Sequence, residues 1–144
     1  MAKNKDEQLT VLETLTNEER EALIKCSQKI RFDEGEVLVN VGEKDEGVYI
    51  LMVGTVEVIG KGNFGMDKVI AEIHQGSIFG ELSFFDQQPR IAAVRSTAPG
   101  FVLHITPNGL NRLATSNPDI AMQLLLGFGK ILSKRFRLTA SGGI

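Results

Sequence analysis

The chain has 144 residues, enough for one domain with a substantial core and short for two. Lys and Arg number 16 against 18 Asp and Glu, a net charge of −2, so charge makes no case for a nucleic-acid partner. With Cys26 as the only cysteine no intrachain disulfide can form, and no apolar stretch reaches the length of a membrane span.

Met1-Ala2-Lys3-Asn4-Lys5-Asp6 is polar with no apolar run behind it, which is not the pattern of a signal peptide. The expected setting is cytoplasmic and reducing, with Cys26, flanked by Ile24 and Ile30, as a packed small hydrophobe. After a frayed start, Leu9, Leu12 and Leu15 share one face of a predicted helix. A second helix begins at Thr16, where Glu19 three residues on completes the spacing of a capping box. A helical hairpin of about 20 residues is therefore expected before the strands.

From Gln28 the period changes to two. Lys29-Ile30-Arg31-Phe32, Val37 to Val41, Val48 to Val53, Thr55 to Ile59 and Lys68 to His74 read as short strands separated by glycine turns, with Gly54 breaking one run. Nine of the 15 glycines lie between Gly35 and Gly80, which favours close turns over helices and an antiparallel barrel or sandwich. Two further strands, Ile91 to Thr97 and Phe101 to Ile105, flank Pro99-Gly100. Thr106-Pro107 and Asn117-Pro118 each open a helix, the second running to about Leu138 with more apolar residues than one stripe needs. Leu124, Ile131 and Leu138 are expected on a free side of that helix, where they would join two copies in a homodimer.

Between the strands stands Ile78-Phe79-Gly80-Glu81-Leu82-Ser83-Phe84-Phe85, continuing to Pro89-Arg90-Ile91-Ala92-Ala93-Val94. Such a segment can wrap a small anion. Gly80 lets backbone approach a ligand, the first amides of the short helix after it carry partial positive charge, and Arg90 offers a planar cation suited to phosphate oxygens. Glu81 would repel phosphate, so a ribose hydroxyl is the better partner for its carboxylate.

Phe79-Gly80-Glu81-Leu82, seven residues, then Arg90 preceded by Pro89, resembles the phosphate-binding cassette of the cyclic nucleotide-binding domain family. The rhythm of Gly35, Gly42, Gly47-Val48-Tyr49-Ile50-Leu51 and Gly54-Thr55-Val56 is similar to that family's barrel signature, and the resemblance extends over residues 9 to 138. It implies a mainly β fold, a jelly-roll β-barrel (double-stranded β-helix) with N-terminal helices and a C-terminal helix. One domain over 1–144 is expected: a helical segment 1–27, a barrel 28–105 holding the cassette at 78–94, helices over 106–138 and a tail 139–144. It also implies a ligand set of Phe79, Gly80, Glu81, Leu82, Arg90, Ile91 and Ala92. In that set Gly80 and Leu82 present backbone amides, Glu81 takes the ribose hydroxyl, Arg90 holds the cyclic phosphate and Ala92 lies against it. Ile91 departs from the family's small or hydroxylated residue. Its side chain argues against cyclic GMP, leaves cyclic AMP as the expected ligand, and could narrow the pocket.

Asn117-Pro118-Asp119-Ile120 is similar to the matching segment of the family's transcription activators, and an ungapped count sets Arg135-Phe136 at their adenine-contacting pair. Arg135 or Phe136 would then cap the base; against this stands Arg135 as a solvated charge and Phe136 as a residue of the core or dimer seam. The expected function is a stand-alone cyclic-nucleotide-sensing regulatory module, not an enzyme, with no nucleic-acid or membrane partner. Two alternatives remain: the same fold with a lapsed pocket that docks an unidentified protein, and a cupin-like metal enzyme. Against the last, His74 and His104 lack metal-ligand partners at close spacing, and no metal is expected.

Overall fold

Two long antiparallel strands organise the computed structural model, which describes residues 10–13 and 15–141. They are β3 (Val48–Lys61) and β6 (Ala93–Ile105), paired from Val48↔Ile105 to Ile59↔Ala93. Around them run β1 (Gln28–Phe32), β2 (Val37–Val39), β4 (Asp67–Ile73) and β5 (Ile78–Phe79). The sheet order is β1-β6-β3-β4, with β2 added to β6 and β5 to β3. Every pairing is antiparallel. The helices are α1 (Asn17–Lys25), α2 (Glu81–Asp86), α3 (Pro107–Ser116) and α4 (Pro118–Ala140). The fold is thus mainly β with flanking helices, as expected.

Alternation along the strands divides the interior in two. Val48 and Ile50 of β3, Ile78 of β5, and Leu103 and Ile105 of β6 face the helices, joining Leu23, Leu110, Leu113, Leu124 and Phe128. Tyr49 and Leu51, Phe79, and Val94 and Val102 point the other way, into the barrel with Phe32, Val56 and Ile73. This explains why Val48-Tyr49-Ile50-Leu51 is buried throughout: each face of β3 has a core of its own.

Several expectations need correction. Gly54 does not end a strand, and Pro99-Gly100 does not separate two. β3 and β6 run through both points, and their register slips between Leu51 and Val53 and again between Val53 and Thr55. Proline lacks the donor a regular ladder requires, and facing bulges accommodate it without ending the pairing. The strands approach so closely here that a Cβ on Gly100 would lie 1.8 Å from the Val53 carbonyl oxygen. The predicted helix over Leu9, Leu12 and Leu15 is also absent from the described residues, and Leu9 lies outside them. Residues 11–13 make bends and a turn. The Val11 amide donates to the Gly76 carbonyl at 3.0 Å, which pins the segment to the β4–β5 turn, and Val11 and Leu15 bury in the core. The capping box at Thr16 and Glu19 forms as expected. Cys26 is a packed small residue whose thiol burial pushes up in pKa.

α4 presents one face to the body of the molecule through Ile120, Ala121, Leu124, Phe128 and Ile131. Leu124 and Ile131, expected to be free for a partner, are 1% and 2% exposed and belong to the chain's own core; Leu138 is half-buried. The apolar side chains left in the open are Met122, Leu126 and Phe136. Phe128 meets Phe84 of α2 edge to face at 5.9 Å, so the long helix rests directly on the short one that follows Gly80.

Candidate functional site

The site forms where β5 turns into α2 at Gly80. Its φ of +80° is left-handed backbone that a side chain would strain, and a Cβ there would lie 2.8 Å from Arg90 Nη1. Glu81 opens α2, and Gln87 closes it in the left-handed region before Pro89. The chain then returns past the β2–β3 loop. The Gly42 amide donates to the Arg90 carbonyl and the Arg90 amide to the Glu43 carbonyl, both at 2.8 Å.

Those bonds fix the Arg90 backbone, and its side chain turns inward, 5% exposed. Nη1 donates to the Gly80 carbonyl at 2.8 Å and Nη2 to the Gly47 carbonyl at 2.7 Å. Asp45 Oδ2 is 3.1 Å from Nη2 and neutralises it in part. Nε, also buried, has no hydrogen-bond partner. A buried donor left open beside a left-handed glycine suits an anion.

Asp45 is the residue that sequence reasoning missed. Its Oδ1 accepts the Gly47 amide at 2.9 Å, the two-residue reach of an Asx turn, and its Oδ2 accepts the Tyr49 hydroxyl at 2.6 Å. His104 Nε2 lies 3.3 Å from Oδ1. The spacing Asp45-x-Gly47 was the available signal, within a turn of charged residues from Glu43 to Glu46. Burial alone would raise the Asp45 pKa. The hydrogen bonds from Tyr49 and the Gly47 amide, the electrostatic influence of His104 and the Arg90 hydrogen bond outweigh it and hold the carboxyl at about 2 against an ordinary 3.8. The folded pKa is depressed, so the stability from this carboxylate is complete above about pH 4 and is lost as pH falls through about 2. Urea midpoints measured down that range should fall more steeply for wild type than for Asp45→Asn; parallel curves would refute the assignment.

Glu81 is likewise inside, 8% exposed, and its Oε2 receives Arg135 Nη1 at 2.8 Å. Arg135 Nη2 also reaches Ser77 Oγ at 3.1 Å and the Ile78 carbonyl at 2.9 Å. The structure therefore joins Gly80, Glu81, Arg90 and Arg135. Arg135 is not a solvated charge, because the Glu81 carboxylate, the Ser77 hydroxyl and the Ile78 carbonyl hold it. Phe136 is no core residue, at 71% exposed, and takes no part in the cluster. The Phe79 ring lies in the barrel, stacked on Tyr49 at 4.8 Å. Leu82 is exposed and Ala92 half-buried. Ile91 is 75% exposed. Among the described residues no group of three or more His, Cys, Asp or Glu could hold a metal ion, and no helix is long and apolar enough to cross a membrane.

The chain is 32% identical over 95 residues to the cAMP-activated global transcriptional regulator CRP of Pasteurella multocida, covering 65% of this chain and 46% of that one. It is 29% identical over 90 residues to the cAMP-dependent protein kinase regulatory subunit of Blastocladiella emersonii, covering 62% of this chain and 22% of that one. The chain thus spans less than half the length of either curated relative. In fold it resembles the crystal structure of the Thermus thermophilus catabolite activator protein, with a TM-score of 0.79 at 19% identity over 92% of this chain and 60% of that one. The family model described as the cyclic nucleotide-binding domain matches residues 29–117, and the chain belongs to that family.

Proposed function

We propose that this domain is a regulatory module that binds cyclic AMP and does not turn it over. The observation that carries the reading is the open, buried Nε of Arg90 beside Gly80, a donor that a phosphate oxygen would complete. Glu81 would take the ribose hydroxyl on Oε1, since Arg135 occupies Oε2. Gly80 and Leu82 would contribute backbone, Ile91 would disfavour cyclic GMP, and Ala92 would lie against the phosphate. Both curated relatives are named for cAMP, which supports that choice of base. Calorimetric titration with cyclic AMP and cyclic GMP tests the reading; cyclic AMP should bind at one site per chain and more tightly.

One observation favours a second reading. Arg90 already has Asp45 and Glu81 already has Arg135, so both charged ligand groups are partnered within the chain. A lapsed pocket that serves as a protein-docking domain would look the same, and silence with both nucleotides would select it.

The reading includes a homodimer through α4, on a face other than the one expected from sequence. Met122, Leu126 and Phe136 fall within an arc of about 80° on a helical wheel, with Gly129 and Ser133 between them. Burying each leucine-sized side chain gains about 1.5–3 kcal/mol, enough for a weak dimer. Light scattering at tens of micromolar protein should give a dimer for wild type and a monomer for Leu126→Glu. A wild-type monomer would refute it.

A further inference from the structure

His104 has no ligand to touch under this reading, yet it stands directly behind the counter-ion of Arg90. It occupies β6 opposite Tyr49, its ring 4.5 Å from the Tyr49 ring. Nε2 fills the space over Gly47, where a Cβ would lie 1.9 Å away, and approaches Asp45 Oδ1 at 3.3 Å. The side chain is 13% exposed. A line of contacts thus runs from His104 to Asp45 and on to Arg90. A carboxylate only accepts, so Nε2 must carry a proton whether the ring is neutral or cationic. Protonation therefore keeps the contact and changes only the charge.

We propose that His104 is a positioning residue for phosphate binding, acting through Asp45. With His104 neutral, Asp45 offsets Arg90 and the pair presents little net charge to an anion. With His104 protonated, Asp45 is shared between two cations and the cluster gains one positive charge behind the guanidinium. Affinity for a cyclic phosphate then rises as pH falls. The effect rests on the cyclic-nucleotide reading of the same site.

Other groups around His104 cannot supply this dependence. From the β2–β3 loop comes Asp45, ionised down to about 2. From β3 comes Tyr49, whose phenol burial and the Asp45 carboxylate push far upward, with Glu43 nearby. From the cassette comes Arg90, always charged. From β1 comes Gln28, which does not ionise. Histidine is the side chain that ordinarily changes charge between about pH 5 and 8, and a cyclic phosphodiester stays singly negative throughout that range.

The test compares cyclic AMP affinity at about pH 8 and about pH 5.5 for wild type, His104→Gln and His74→Gln. His74 lies in the β4–β5 turn and serves as the control. Wild type and His74→Gln should tighten by about three- to tenfold at the lower pH, the scale of one unit charge acting at a screened, partly buried distance. His104→Gln should be flat. A flat wild type, or a His104→Gln variant that keeps the dependence, overturns the proposal. In ligand-free protein the Arg90 Nε resonance should shift with the His104 titration and stop doing so in His104→Gln. An Arg90 signal that ignores His104 also overturns the proposal. If that signal titrates but no cyclic nucleotide binds at either pH, the ligand reading falls, and the effect on affinity falls with it.

Discussion

Arg90→Ala should abolish cyclic-nucleotide binding at micromolar ligand, since removing one side of a desolvated charge pair costs about 2–5 kcal/mol. It should also destabilise the protein before any ligand is present. The guanidinium closes three contacts, to the Gly80 carbonyl, the Gly47 carbonyl and Asp45. Its loss leaves a partly buried carboxylate and two carbonyls without their cation, a cost of about 3 kcal/mol or more. Arg90→Lys separates the two effects. An ammonium can restore the charge and one carbonyl contact but cannot reproduce the planar fork. Its urea midpoint should sit near wild type while affinity still falls by about tenfold or more. Undiminished binding by Arg90→Lys would show that the fork does not hold the ligand.

The double role of Arg90 marks what could be read from the sequence and what could not. Local signals carried through: the capping box at Thr16, the proline starts at Pro107 and Pro118, the glycine at the turn into α2. Each depends on neighbours a few residues away, and the structure keeps them. The Gly80-Glu81 to Arg90 spacing was legible for the same reason. The breaks expected at Gly54 and Pro99 were not breaks, because each lies opposite the other across the ladder, and a bulge on one strand absorbs the irregularity of its partner. Pairing between residues some 45 apart decides that, and no window along the chain contains it.

The faces of α4 were misread on similar grounds. Apolar residues all around the helix showed that it needs two partners, but not which side meets the barrel; Phe128 against Phe84 fixes that. The grouping of Asp45, Tyr49 and His104 behind Arg90 escaped notice because it is assembled from the β2–β3 loop, β3 and β6. Only the register Tyr49↔His104 brings two of them side by side.

Arg135→Ala should release the C-terminal half of α4 from the cassette. The side chain donates to Glu81, Ser77 and Ile78 at once, and Ser77 is fully buried. Removing it leaves the buried Glu81 carboxyl without this partner. Breaking a buried pair costs about 3–5 kcal/mol; the 20% exposure of Arg135 lowers the expectation to about 2–3 kcal/mol here. Hydrogen exchange should report the loss as faster exchange over residues 132–140, with the Phe128 region held by its own packing. Ligand affinity should fall too, because Arg135 orients the carboxylate proposed to take the ribose hydroxyl. Glu81→Gln tests whether these effects share one cause. If they do, the double variant should be little worse than Arg135→Ala alone, a coupling energy of about 1–3 kcal/mol between the two positions. In wild type, nucleotide that engages Glu81 should alter protection across residues 118–138, since the same carboxylate anchors the helix. Additive losses in the double variant, with protection there unchanged by bound nucleotide, would leave the ion pair as a structural tether with no part in signalling.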